Sequence, residues 1–395
     1  MVSAWAGDLR WEDRFDLTGG FDSATCVAVQ GKQLFVVGSG QVPPKDGIED
    51  FDWIVRAYDR LSGSLLWQDQ ADGGLDIADT ARAVAVQGRY VVAVGSAGGD
   101  GDGDWWVRAY DVKTGHLRWQ DRIVHPAASE GAADVVIEGH RVFVVGSRLR
   151  VYDLKHGKVI WEDPEVSGAS IAVGGKSVFI AGSRNGDFFV RAYDSRTGLA
   201  QWEDLSDLSG GQDSANALKV HGRSVIAVGS AGTFLSRDFV VRAYEGKTGA
   251  LEWEDRVDTG GLDEALALAI KDRSAYVVGR VRASGTDDFV IRAYDTRTGS
   301  LRWDDVFDFG GNDIARTVTV AGEQVFVGGT LQEPGFHESG IVVRAYNANN
   351  GRLAWMDKLV EPQASSIDGI AALGGQVYAV GTQTLDFLVR AYKTR

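Results

Sequence analysis

A chain of 395 residues, 44% hydrophobic and 24% charged, holds enough apolar material for a large core, and no run approaches the roughly eighteen apolar residues of a membrane span. Lys plus Arg number 41 against 55 Asp plus Glu, a formal charge of −14, which repels nucleic acid and favours cations or basic partners. The single cysteine, Cys26, excludes an intramolecular disulfide and a thiolate-rich metal cluster.

The first element, Gly7 to Asp13 around Trp11, reads as the last strand of a repeat. Ahead of it Met1 to Trp5 lacks the charged and apolar segments of an export signal, as in a cytosolic protein or one whose leader has been removed. Next come an apolar run from Ser23 to Val29, a Gly31 turn, and a second run from Leu34 to Val37. A variable loop follows. Trp53 to Tyr58 and Leu65 to Asp69 are the third and fourth strands, joined by a tight reversal from Asp59 to Gly63. The phrase Val-Arg-Ala-Tyr-Asp, a turn ending in Gly, then Trp-x-Asp recurs throughout. Trp-x-Asp occurs at Trp11, Trp67, Trp119, Trp161, Trp202, Trp253, Trp303 and Trp355, spaced 41 to 56 residues apart.

Four strands per unit with no helical period between units predict blades set around an axis. The termini fit this scheme. Val389 to Arg395 is a third strand lacking its fourth, and Gly7 to Asp13 is a fourth lacking its third; joined, they complete one motif in register. The expected fold is all-β: one domain over 1–395, an eight-bladed β-propeller of four-stranded antiparallel blades. The blades fall near 14–69, 70–121, 122–163, 164–204, 205–255, 256–305, 306–357, and 358–395 with 1–13.

The spacing Ala-x-Asp-x-x-Thr/Ser-Gly-x-x-x-Trp resembles the tryptophan-docking motif of the pyrroloquinoline-quinone-type, or quinoprotein-like, propellers. Seven copies are continuous, and Val151 replaces Ala in the third. The resemblance implies that each Trp docks across the join between blades, and that the protein works in the periplasm or is secreted. It also points to a superfamily that includes dehydrogenases and assembly scaffolds. Its quinone enzymes carry adjacent cysteines, an aromatic floor, an Asp base, and acidic and amide ligands for Ca²⁺ or a lanthanide. Cys26 stands alone, and no such site carries over residue by residue.

Repeated charges read first as scaffold. Arg56, Arg108, Arg150, Arg191, Arg242, Arg292, Arg344 and Arg390 match in number the aspartates of Trp-x-Asp, which predicts one Arg–carboxylate pair per blade between its third and fourth strands. A second acidic set, Asp22, Asp79, Glu130, Asp213, Asp263 and Asp313, precedes the innermost strand in six of eight units, with Val166 and Ser365 in the others. These six could ring one mouth of the central channel and recruit a cation such as Ca²⁺, or each could close its own Gly-rich turn through backbone N–H bonds.

Loops that differ between blades are the other candidates. They are long at Gly40 to Asp52, Ala97 to Asp104 and Leu331 to Gly340, and they present Trp53, Asp100, Asp102, Asp104, Trp106 and His337. One of the adjacent Trp105 and Trp106 could stack on a ligand; Trp53 and Trp105 also match Phe188, Phe239, Phe289 and Phe387 as buried strand residues. Asp100 to Asp104 resembles half an EF-hand loop, yet Trp105 stands where Gly is needed. No nucleophile elbow, zinc motif or phosphate loop is complete. The expectation is a monomeric, non-catalytic binding or scaffold propeller for a protein, small ligand or cation, without a required cofactor. The alternative is a quinone- or metal-dependent enzyme at the channel mouth.

Overall fold

The computed structural model describes residues 7–45, 48–74, 79–98, 103–124, 131–282, 285–333, 339–360, 363 and 365–394. The fold class is the all-β, eight-bladed β-propeller: eight four-stranded antiparallel sheets and, among the described residues, no helix. The chain separates into two compact units, one built on Gly168–Ile367, the other on Asp8–Ser167 and Asp368–Arg395.

In the second unit, blade 1 comprises strands Asp22–Gln30, Gln33–Lys45, Ile48–Asp59 and Leu65–Ala71. Blade 2 runs over 80–123 and blade 3 over 132–163. Blade 8 sets Leu9–Phe15 beside Asp386–Lys393, with Trp11 opposite Ala391 and Glu12 opposite Arg390. In the first unit, blades 4, 5, 6 and 7 occupy 170–206, 214–257, 264–307 and 314–360.

Burial follows position within each blade. The third strand of blade 2, Asp104–Asp111, is buried at every residue, whereas its fourth strand, Leu117–Ile123, alternates and buries Trp119. The second and third strands are covered on both faces and buried almost throughout, as in Tyr90–Ala97 and Asp104–Asp111, whereas the first strand, as in Thr80–Gln87, is only partly buried. Each apolar cluster draws on two successive blades. One joins Ile226, Val228, Phe239 and Trp253 to Leu268, Val277 and Tyr294.

The indoles fasten those pairs. Trp253 Nε1 donates to the Thr296 carbonyl of the next blade at 3.1 Å, its ring stacks on Tyr294 at 6.1 Å, and Gly299 leaves room for it. Trp11, Trp67, Trp119, Trp202 and Trp303 make the same bond to Arg60, Val112, Leu154, Gly246 and Ala348. Docking across the join is thus a property of the fold.

The Arg–Asp pairs differ from the expectation, because they run between blades rather than within one. Arg242 meets Asp204 of the preceding blade at 2.7 Å, and Arg108, Arg150 and Arg344 likewise reach Asp69, Asp121 and Asp305. Strand register explains it. Arg242 lies opposite Glu254, so the next residue, Asp255, points to the other face. Within its own blade the arginine takes the middle residue of Trp-x-Asp, as Arg242 takes Glu254 at 2.8 Å. The tyrosine of Val-Arg-Ala-Tyr completes the clasp, with Tyr244 Oη donating to Asp204 at 2.8 Å.

The first variable loop, expected from Gly40 to Asp52, is largely strand. Gln33–Lys45 and Ile48–Asp59 extend as a hairpin in which Gly40, Gln41 and Val42 pair with Asp52, Phe51 and Asp50. The register shift falls after Val42, where Pro43 and Pro44 cannot donate.

Candidate functional site

Connections between blades gather carboxylates. Five of the six acids of the second set lie at these connections, and all five are buried: Asp22, Asp79, Asp213, Asp263 and Asp313 are 0–1% exposed. Glu130 lies outside the described residues. Each buried carboxylate bridges a Gly-rich turn to the end of a second strand. Asp22 accepts from Leu17 N at 2.7 Å and Gln41 N at 2.9 Å. Asp263 accepts from Thr259 N at 2.6 Å and Arg282 N at 2.8 Å, and Asp213 from Leu208 N at 2.6 Å and Gly232 N at 3.0 Å. Asp79 takes Gly73 N and Gly98 N, and Asp313 takes Phe309 N and Gln332 N. This is turn closure by side chain: two backbone donors that the sheet cannot satisfy find an acceptor.

Burial, opposed by those N–H donors, raises the carboxyls of Asp22 and Asp313 to about 6 and that of Asp79 to about 7. Two further aspartates stand near each of them: one opens the turn (Asp16, Asp72, Asp308), the other lies on the preceding blade's third strand (Asp386, Asp52, Asp288), and their charges push the same way. The aspartates of those turns and strands were not singled out from the sequence, although those on the third strands recur three residues before the Val or Ile of Val/Ile-Arg-Ala-Tyr. Carboxylate oxygens of Asp52, Asp72 and Asp79 lie within 4.8 Å of one another, as do those of Asp187, Asp207 and Asp213.

The loop candidates divide. Trp53 is fully buried and packs on Trp106 at 5.1 Å; Trp106 is itself buried, with Arg108 over its ring at 4.6 Å. Trp105 is buried too, its Nε1 donating to Tyr152 Oη at 3.0 Å. No indole of this group is open for stacking on a ligand. Asp104 is buried against Arg122 at 2.7 Å. Asp100, Asp102 and His337 lie outside the described residues. Cys26 is half-buried against the apolar cluster of blades 1 and 2 and has no second thiol with which to form the disulfide that the quinone enzymes imply, so the residues present do not fit that cofactor.

Sequence reading missed one feature. Between the second and third strands of blade 5, Phe234 and Leu235 are 83% and 82% exposed. The turn beneath them is built: Thr233 N donates to the Ser236 carbonyl at 2.7 Å, and Thr233 Oγ1 accepts from Leu235 N and Ser236 N at 3.3 Å. Two apolar residues in a row carry no periodic signal, so only their exposure reveals them.

The sequence matches the family described as outer membrane protein assembly factor BamB over residues 1–186, 103–275 and 237–394. No curated protein matches it. Among solved structures, BamB from Moraxella catarrhalis is 18% identical, with a TM-score of 0.61 over 98% of this chain and 97% of that one. Quinohemoprotein alcohol dehydrogenase from Comamonas testosteroni is 13% identical, TM-score 0.63, over 98% of this chain and 76% of that one. Sqt1 from Chaetomium thermophilum is 14% identical, TM-score 0.63, over 98% of each. Identities this low make the likeness one of fold.

Proposed function

Because the chain belongs to the family described as outer membrane protein assembly factor BamB, we propose that it is a non-catalytic protein-binding platform of the cell envelope that docks through the blade 5 turn. One observation carries this reading: Phe234 and Leu235 stand in solvent on a hydrogen-bonded turn. Covering two such side chains is worth about 3–6 kcal/mol, enough to anchor a partner that supplies an apolar pocket. The charge of −14 favours a basic rim around that pocket and disfavours nucleic acid or an anionic lipid surface.

A photo-crosslinking residue placed at 234 or 235 in producing cells tests the reading. The expected result is one dominant protein adduct, absent when the probe replaces Leu199, which is 69% exposed elsewhere on the same unit. An identical adduct pattern from both positions would refute it. So would dye reduction by purified protein reconstituted with pyrroloquinoline quinone and Ca²⁺, since that outcome belongs to an enzyme.

A further inference from the structure

We propose that Met356 is a reversible oxidation site whose sulfoxide completes the clasp between blades 6 and 7. This goes beyond the docking function and does not depend on it. The clasp is incomplete at Arg344. That residue is 4% exposed, and its Nε and Nη1 are buried without a hydrogen-bond partner, while Nη2 meets Asp305 at 3.2 Å. Unmet donors on a buried cation are costly.

Seven of the eight Trp-x-Asp motifs carry Glu, Gln or Asp at the middle position, and the eighth carries Met356. The middle residue lies opposite the arginine of its own blade, as Gln68 lies opposite Arg56 and Glu254 opposite Arg242. Its oxygen meets that arginine at 2.7 Å in blade 1, 2.8 Å in blades 3 and 5, and 2.9 Å in blade 8. Met356 stands opposite Arg344, and its thioether is a weak acceptor.

Blade 1 shows where the missing oxygen belongs, because Arg56 and Arg344 share one pose. Their Nη2 atoms lie 3.3 Å and 3.2 Å from Asp13 and Asp305, and each guanidinium carbon lies 3.9 Å from a ring centre, of Phe15 and Phe307 respectively. In that pose Arg56 Nη1 donates to Gln68 Oε1, whereas the matching Nη1 of Arg344 is orphaned. A sulfoxide oxygen on Sδ is as many bonds from Cα as Oε1 is in glutamine, so oxidation gives Met356 the acceptor that Gln68 supplies in blade 1. Met356 is only partly buried, at the margin of the apolar cluster of blades 6 and 7, where hydrogen peroxide can reach it. The thioether gives two electrons to the peroxide: an S–O bond forms, the O–O bond breaks, and the other oxygen leaves as water. A dithiol-dependent sulfoxide reductase reverses the step, the oxygen leaving as water and the dithiol becoming a disulfide. Methionine oxidation commonly disrupts packing; here it satisfies a buried donor.

The test melts the full chain before and after hydrogen peroxide, as wild type, Met356→Gln and Met356→Leu, with peptide mass mapping for oxygen gained at residue 356. The wild type should gain one oxygen there and melt about 2–4 °C higher, returning to its starting value after reductase treatment. Met356→Gln should melt higher than untreated wild type by a similar margin without peroxide. Met356→Leu should keep its melting temperature through the treatment, which separates residue 356 from Met1 and Cys26 as the source of the shift. The proposal is overturned by any of four results: no oxygen at residue 356, a lower melting temperature for the oxidised wild type, a Gln variant no more stable than wild type, or an equal shift in the Leu variant.

Discussion

Removing the indole of Trp253 and filling the space of Gly299 should be strongly non-additive. Trp253 is 9% exposed, so truncation to Ala strips about 200 Å² of apolar surface from the join of blades 5 and 6 and orphans the Thr296 carbonyl, for a cost of about 4 kcal/mol. Gly299 has a φ of +71°, and a Cβ there would sit 2.7 Å from two atoms of the Trp253 ring. Gly299→Ala therefore carries two costs, about 1 kcal/mol for the left-handed backbone and about 2 kcal/mol for overpacking the indole. In the Trp253→Ala background only the first remains. Urea denaturation of the four proteins of the cycle should yield a coupling of about 2 kcal/mol. A coupling below about 0.5 kcal/mol would show that the glycine serves the turn alone and that the indole does not fasten the blades.

Tyr244→Phe should cost about 1 kcal/mol and Arg242→Ala about 2 kcal/mol in the same assay, since each removes a partner from partly buried Asp204. The carboxyl of Asp79 is raised by burial from 3.8 to about 7, so the folded protein holds a proton that the unfolded chain releases. Its contribution is complete below pH 3.8 and lost as pH rises through 7, a fall on the order of 4 kcal/mol between those limits. Denaturation in EDTA across that range should show a flatter profile for Asp79→Asn than for wild type. Deleting residues 1–15 should destabilise blade 8 and promote aggregation, because it strips the partner strand from Asp386–Lys393; light scattering at moderate temperature reads this out.

Much of the fold was legible because a period near fifty residues carries its own phase: Trp-x-Asp counts the sheets, and the broken motif at the termini sets Trp11 opposite Ala391. The Arg–Asp clasp was legible in composition but not in connectivity. Which face Asp255 takes depends on Arg242 lying opposite Glu254, and a sequence does not show that register. The acids beside the Gly-Gly turns were visible as a set, whereas their burial depends on strands from two blades closing over them. Phe234 and Leu235 escaped because an apolar pair reads the same inside a core as on a turn tip.

Each indole and its following aspartate are read by the turn and the Arg-x-Tyr of the succeeding sheet, so what is inherited as one period is half of two seams. A genetic exchange that adds or drops one full period, wherever it cuts, hands every donor half a matching receptor half. Lineages can thus change the number of sheets without reinventing the fastening, and only the angle each seam imposes limits which numbers close.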